Sequence, residues 1–183
     1  MCVSKRIMVV GFTCLLNLCQ TNPAIAQQSD QVAERVLGPQ WKQLSRHAGM
    51  IFAGTVLTNA AKNAAKSSAG DQAALRTIPT VQITLRVDHA ISGVESGQIL
   101  TIHEWAGSSS ISMHRPMRSG QHILIFLYPP SRLGLTSPVG GLLGQIALDP
   151  SGATVSRRER DTGEITRVSI VQLERAIRSA REE

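Results

Sequence analysis

The stretch Val81–Ile91, VQITLRVDHAI, decides how this chain folds. Val81, Ile83, Leu85 and Val87 alternate with Gln82, Thr84, Arg86 and Asp88, and Ile91 resumes the apolar set beyond His89. A helix, with 3.6 residues per turn, would scatter these side chains around its axis. A strand repeats every two residues, so the spacing puts one face in a core and the other toward water.

The flanks extend the pattern in both directions. ISGVESG, 91–97, reads as a turn punctuated by Gly93 and Gly97, and QILTIHEWA, 98–106, as the next strand. Its Leu100 and Ile102 point inward, and Thr101 and His103 occupy the other face. Upstream, GMIFAGTVL, 49–57, is a strand with Gly54 inside it, a residue that marks a bulge or a bend such as a barrel corner. Between these strands Asn59–Thr77, NAAKNAAKSSAGDQAALRT, has little to bury and reads as a brief helix or a mobile connection. Downstream, QHILIFLY, 121–128, is apolar on both faces, as suits a central strand covered on each side. GQIALDPSGATVS, 144–156, reads as a hairpin turning at Asp149-Pro150-Ser151-Gly152. Ser169 can cap a last helix with Ile170, Leu173, Ile177 and Ala180 on one stripe.

The amino end has the three parts of a secretory signal. Lys5 and Arg6 precede the apolar stretch Ile7–Leu18, and Ala24-Ile25-Ala26 ends it. Cleavage after Ala26 is expected, with a retained anchor as the alternative, although a spanning helix needs about 20 apolar residues. Leu18, directly before Cys19, argues against a lipoprotein signal. Cys2, Cys14 and Cys19 all precede Ala26, so the exported chain would hold no thiol, no disulfide and no cysteine-ligated zinc. Residues 27–48 form a lead-in: Ser29 or Asp30 caps a helix containing Val32, Val36 and Leu37, Gly38-Pro39 ends it, and Trp41 and Leu44 suit a second helical turn. Residues 49–183 form the domain.

The formal charge is +6, and loss of Lys5 and Arg6 lowers it by two. Many positives fall late, at Arg157, Arg158, Arg160, Arg167, Arg175, Arg178 and Arg181, interleaved with acidic residues. Such mixing reads as solvated surface rather than a polyanion site.

Five strands, a bend glycine in the first and a terminal helix predict a mainly β fold, a five-stranded Greek-key OB-like barrel with a short helical lead-in and a C-terminal helix. A β-sandwich is the alternative. IFAGTV, 51–56, LRVDHAISG, 85–93, and SGQHILIFL, 119–127, together resemble the netrin-like and tissue-inhibitor-of-metalloproteinase-like OB-fold domains over 50–128. The resemblance implies the fold alone. Inhibitors of that family ligand the protease zinc through a disulfide-bonded amino-terminal cysteine, whereas Gln27 would begin this exported chain. PPSRLGLTSPVGG, 129–141, is similar to loops of exported bacterial proteins, a likeness that brings no activity with it.

Residue chemistry points away from catalysis. His47, His89, His103, His114 and His122 are scattered, HEWAG lacks the second histidine of H-E-x-x-H, and His103 and Glu104 on a strand face opposite ways. No metal and no cofactor is expected. Ser137 stands outside any nucleophile elbow, so a hydrolase remains an alternative with no site visible in the sequence. Trp41, Trp105, Phe52, Phe126 and Tyr128 are too few, and several too core-like, for the stacking platforms of single-strand nucleic-acid binding.

The two longest connections, Asn59–Thr77 and Pro129–Leu142, would flank the usual ligand face of an OB barrel. Candidate partner-binding residues are Trp105, Arg132, Leu133, Leu135, Thr136, Ser137 and Val139. Either the apolar members cap the open end of the barrel or they meet a partner. The expected function is an exported, non-catalytic binding or scaffold module in the periplasm or outside the cell, free of transmembrane segments, contacting a protein or envelope component. A self-associating structural envelope protein is the alternative.

Overall fold

A computed structural model describes residues 23–62, 80–105, 117–158 and 163–182. It is a mixed α/β structure, built on a five-stranded antiparallel sheet with helices at both chain ends. Helix α1 (Pro23–Leu37) and helix α2 (Trp41–His47) lead into β1 (Met50–Lys62), β2 (Thr80–Ser92), β3 (Ile99–Trp105) and β4 (His122–Leu127). A 3-10 turn (Gly141–Gly144), β5 (Gln145–Ala147), β6 (Thr154–Arg158), β7 (Ile165–Ser169) and helix α3 (Ile170–Glu182) complete the chain. The sheet order is β3-β2-β1-β4-β5, and β6 and β7 form a separate antiparallel pair.

Alternation in β2 behaves as its sequence requires. Ile83, Leu85 and Val87 are buried, while Arg86 and Asp88 are exposed. The pairing of β1 with β2 shifts register at Ile51/Phe52, Ala53/Gly54 and Val56/Thr58. Each shift adds local twist, and three along one strand curl the sheet. At the middle shift a Cβ on Gly54 would lie 2.3 Å from the carbonyl oxygen of Arg86, so only glycine permits the approach.

The curled sheet has apolar side chains on both faces. Phe52 and Val56 of β1, Leu85 of β2, Ile102 of β3 and Ile125 of β4 belong to one cluster, built without a helix among the described residues. Ile51 and Ala53 of β1 with Leu124 and Phe126 of β4 belong to another, which the three helices cover. Strand β4 is therefore buried on both sides from Ile123 to Leu127, as the continuous apolar run predicts.

Helix α3 begins with a capping box. The Gln172 amide donates to Ser169 Oγ at 3.3 Å, and the Ser169 amide donates to Gln172 Oε1 at 3.3 Å. Its stripe Ile170, Leu173, Ala176, Ile177 and Ala180 is buried. Helices α2 and α3 satisfy one another's last carbonyls. Arg46 Nε donates to the Ala180 carbonyl at 3.0 Å, and Arg181 Nη1 donates to those of Ser45 and Ala48. Arg157 Nη1 likewise reaches the Val36 carbonyl at 3.0 Å, so these two late arginines are structural ties as well as surface charges.

Three expectations need correction. Helix α1 starts at Pro23, so Ser29 and Asp30 lie inside it rather than capping it. Asn59–Lys62 is strand, not connection, because pairing with Thr80–Ile83 supplies backbone hydrogen bonds that override the residues' weak strand preference. Residues 63–79, the remainder of that expected connection, lie outside the described residues. The Asp149–Gly152 turn forms, with the Asp149 amide bonded to the Thr154 carbonyl, but β5 and β6 do not continue as a hairpin. Instead β6 turns away to pair with β7, and β5 pairs with β4.

Candidate functional site

The connection from β4 to β5 is more ordered than its prolines and glycines suggest. Its second half, Leu135–Val139, runs antiparallel to the end of β4. The Tyr128 amide donates to the Ser137 carbonyl at 3.0 Å, and the Val139 amide to the Phe126 carbonyl at 2.8 Å. The same segment meets β3 in parallel, where the Thr136 amide donates to the His103 carbonyl at 2.9 Å. One short stretch thus hydrogen-bonds to strands from opposite halves of the sheet.

Its first half is a closed turn. The Ser131 amide donates to the Leu135 carbonyl at 2.8 Å, the Gly134 amide to the Ser131 carbonyl at 2.9 Å, and the Leu135 amide to Ser131 Oγ at 3.1 Å. Gly134 takes φ +71°, a left-handed backbone that glycine adopts without strain. Arg132 and Leu133 form the tip, and Leu133 is 73% exposed. A hydrogen-bonded turn therefore holds a leucine out in water.

The expected site residues divide into three groups. Leu133, Arg132 and Trp105, the last 45% exposed, lie on the surface. Thr136 and Val139 are buried, Thr136 Oγ1 donating to the Tyr128 carbonyl at 2.6 Å and Val139 packing with Phe126. These two belong to the base of the loop, and Leu135 and Ser137, on the same segment, are half-buried. A cleft of about 90 Å³ beside the 3-10 turn is lined by Gln121, Ile123, Leu142, Gln145 and Ala147.

Two polar features escaped the sequence. The first is a network on the helix-side face of the sheet, centred on Thr55. Thr55 Oγ1 lies 2.5 Å from Asp88 Oδ2, 3.0 Å from His122 Nδ1 and 3.3 Å from Arg86 Nη2, and Arg86 Nε donates to Asp88 Oδ1 at 2.7 Å. Burial pushes the Asp88 carboxyl up, but hydrogen bonds from Thr55 and Arg86 and the charges of Arg86 and His122 outweigh it and leave it below the usual range. An ionised Asp88 accepts only, so the hydroxyl proton of Thr55 goes to it. Arg86 and His122 Nδ1 must then donate to the hydroxyl oxygen. A nucleophile needs the reverse, its proton on the base, so this geometry orients an imidazole rather than activating Thr55.

The second is Glu104. On β3 it shares the inward face with Ile102 and stands across from Val81, only 5% exposed, and its Oε1 has no hydrogen-bond partner. Burial alone pushes this carboxyl up to about 7. His103 and Glu104 do face opposite ways, so they cannot share a metal. Among the described residues no three histidine, cysteine or acidic side chains gather as metal ligands; His114 lies outside them. Nor is any described helix long and apolar enough to cross a membrane. Period-two alternation could have flagged Glu104, since it falls on the apolar parity of its strand.

No protein-family model, no curated protein and no solved structure matches the chain.

Proposed function

We propose that this chain is an exported, non-catalytic binding module. Its sheet closes as an OB-like barrel, and the turn Ser131–Leu135 with Trp105 contacts a protein or envelope component. Support for closure comes from Leu135–Val139, which bonds antiparallel to β4 and parallel to β3, the place of a fifth stave. The apolar cluster drawn from β1 to β4 would be the barrel interior. The likeness of Met50–Tyr128 to netrin-like domains fits the same topology.

One observation carries the binding role: Leu133 stands 73% exposed at the tip of a turn tied by hydrogen bonds at its base. A leucine that caps a core is covered by it. One held in water by ordered backbone exposes apolar area that a partner can bury, about 2 kcal/mol for a whole side chain. Export rests on Lys5, Arg6, Ile7–Leu18 and the Ala24-Ile25-Ala26 end.

The test is retention of the tagged, mature chain on an envelope fraction from the cells that export it. Leu133→Asp should abolish retention while the melting temperature stays unchanged. Equal retention of the variant would remove the turn from any contact surface. Light scattering that rises with concentration, and is lost in the same variant, would transfer the surface to self-association.

A further inference from the structure

Glu104 lies on the inward face of the sheet, and its Oε1 has no hydrogen-bond partner among the described residues. Val81 faces it from β2 and Ile102 lies beside it. The inward faces of β1, β2 and β4 and the segment Leu135–Val139 bring no titratable group to it among the described residues. Its neighbour His103 points to the opposite face. Burial is accordingly the one cause of its raised pKa, about 7 against an ordinary 4.5.

An ionised carboxylate in such a place must find water or be neutralised. The cheapest route out is set by the sheet. Strand β3 is the terminal strand of the order β3-β2-β1-β4-β5, and among the described residues the Leu135–Val139 segment stands beyond it. That contact is made by the Thr136 amide on the carbonyl of His103, the residue directly before Glu104. Releasing it, together with the last two ladder pairs Thr80–Trp105 and Val81–Glu104, lets the end of β3 swing outward while the rest of the ladder with β2 holds.

We propose that Glu104 is a pH-operated latch on the loop that carries Leu133. Protonated, Glu104 stays inside and the seam between β3 and Leu135–Val139 is shut. Ionised, it draws the end of β3 toward water and opens the seam, leaving the loop held by β4 alone. An exported chain would meet the pH of its surroundings, so the latch would set when the binding turn is held rigid. The latch rests on the proposed binding role of the Ser131–Leu135 turn only for what its opening serves, and the seam itself is measured without any partner.

Amide hydrogen exchange of Thr136, corrected for the intrinsic base-catalysed rate, reports the seam directly. With an opened-state pKa of 4.5 and a closed-state pKa of about 7, its protection should fall on the order of 50-fold between pH 5 and pH 8. The Val56 amide, bonded to the Gln121 carbonyl on the other side of the sheet, should not follow. Glu104→Gln should abolish the pH dependence at Thr136. Equal protection at both pH values, or a fall that survives Glu104→Gln, would overturn the latch. Carbon-13 titration of the Glu104 carboxyl in the unaltered protein gives a second reading: a midpoint near 7 is expected, and one near 4.5 would overturn it.

Discussion

The Thr136 amide donates to the His103 carbonyl at 2.9 Å, and through that bond the far end of the β4–β5 connection touches the outermost strand of the sheet. The connection therefore has a structural base, with Thr136 and Val139 buried, and a solvent-facing tip at Arg132 and Leu133.

Base and tip should respond differently to the same substitution. Val139→Asp places a carboxylate among Phe126 and its neighbours and should cost at least about 3 kcal/mol in chemical denaturation. Leu133→Asp at the tip should stay within about 0.5 kcal/mol of the parent. Similar losses at both would show that Leu133 is covered in solution.

Thr55 is the hub of its network. Thr55→Val keeps the shape but leaves Asp88, Arg86 and His122 without a shared partner, which should cost about 1–3 kcal/mol. Because the Thr55 hydroxyl helps to hold the Asp88 carboxyl below the usual range, the same variant should raise the midpoint of Asp88 in an NMR titration. An unchanged midpoint would mean that the Arg86 pair alone sets it.

Much of this fold was legible because periodicity is a local property. Val81–Ile91 declared its two faces, the run Ile123–Leu127 its double burial, and Ser169 the start of α3. Gly54 announced a bend, and the reason, a backbone carbonyl 2.3 Å from where a Cβ would sit, became visible only with Arg86 in place. Long-range pairing was not legible. Asn59–Lys62 is strand because Thr80–Ile83 lies beside it, and β6 leaves the sheet because β7 offers a partner. The site was legible in part. The loop was singled out by length and composition, but which of its residues face in depends on where β3 and β4 run. Thr55, Arg86, Asp88 and His122 come from three strands and share no spacing that could announce them.

Glu104 makes global stability depend on pH in a direction opposite to most carboxylates. Its folded pKa of about 7 lies above the ordinary 4.5, so the folded state holds its proton where the unfolded state has lost it. Below pH 4.5 its titration costs nothing. Between 4.5 and 7 stability falls as pH rises, and above 7 the loss is complete, at most about 3 kcal/mol. Glu104→Gln should therefore leave stability near pH 4 unchanged and raise it at pH 8, in denaturant titrations at both values. A variant weakened equally at both would mean that the carboxyl has an essential partner.

The most direct measurement of the binding role is photo-crosslinking in the cells that export the chain, with a photoreactive residue in place of Leu133, of Trp105, or of Ile99 as an exposed control on β3. A discrete adduct at positions 133 and 105, absent at 99, is the predicted result. No adduct at either rim position, or one of equal yield at 99, would contradict a partner surface at this rim.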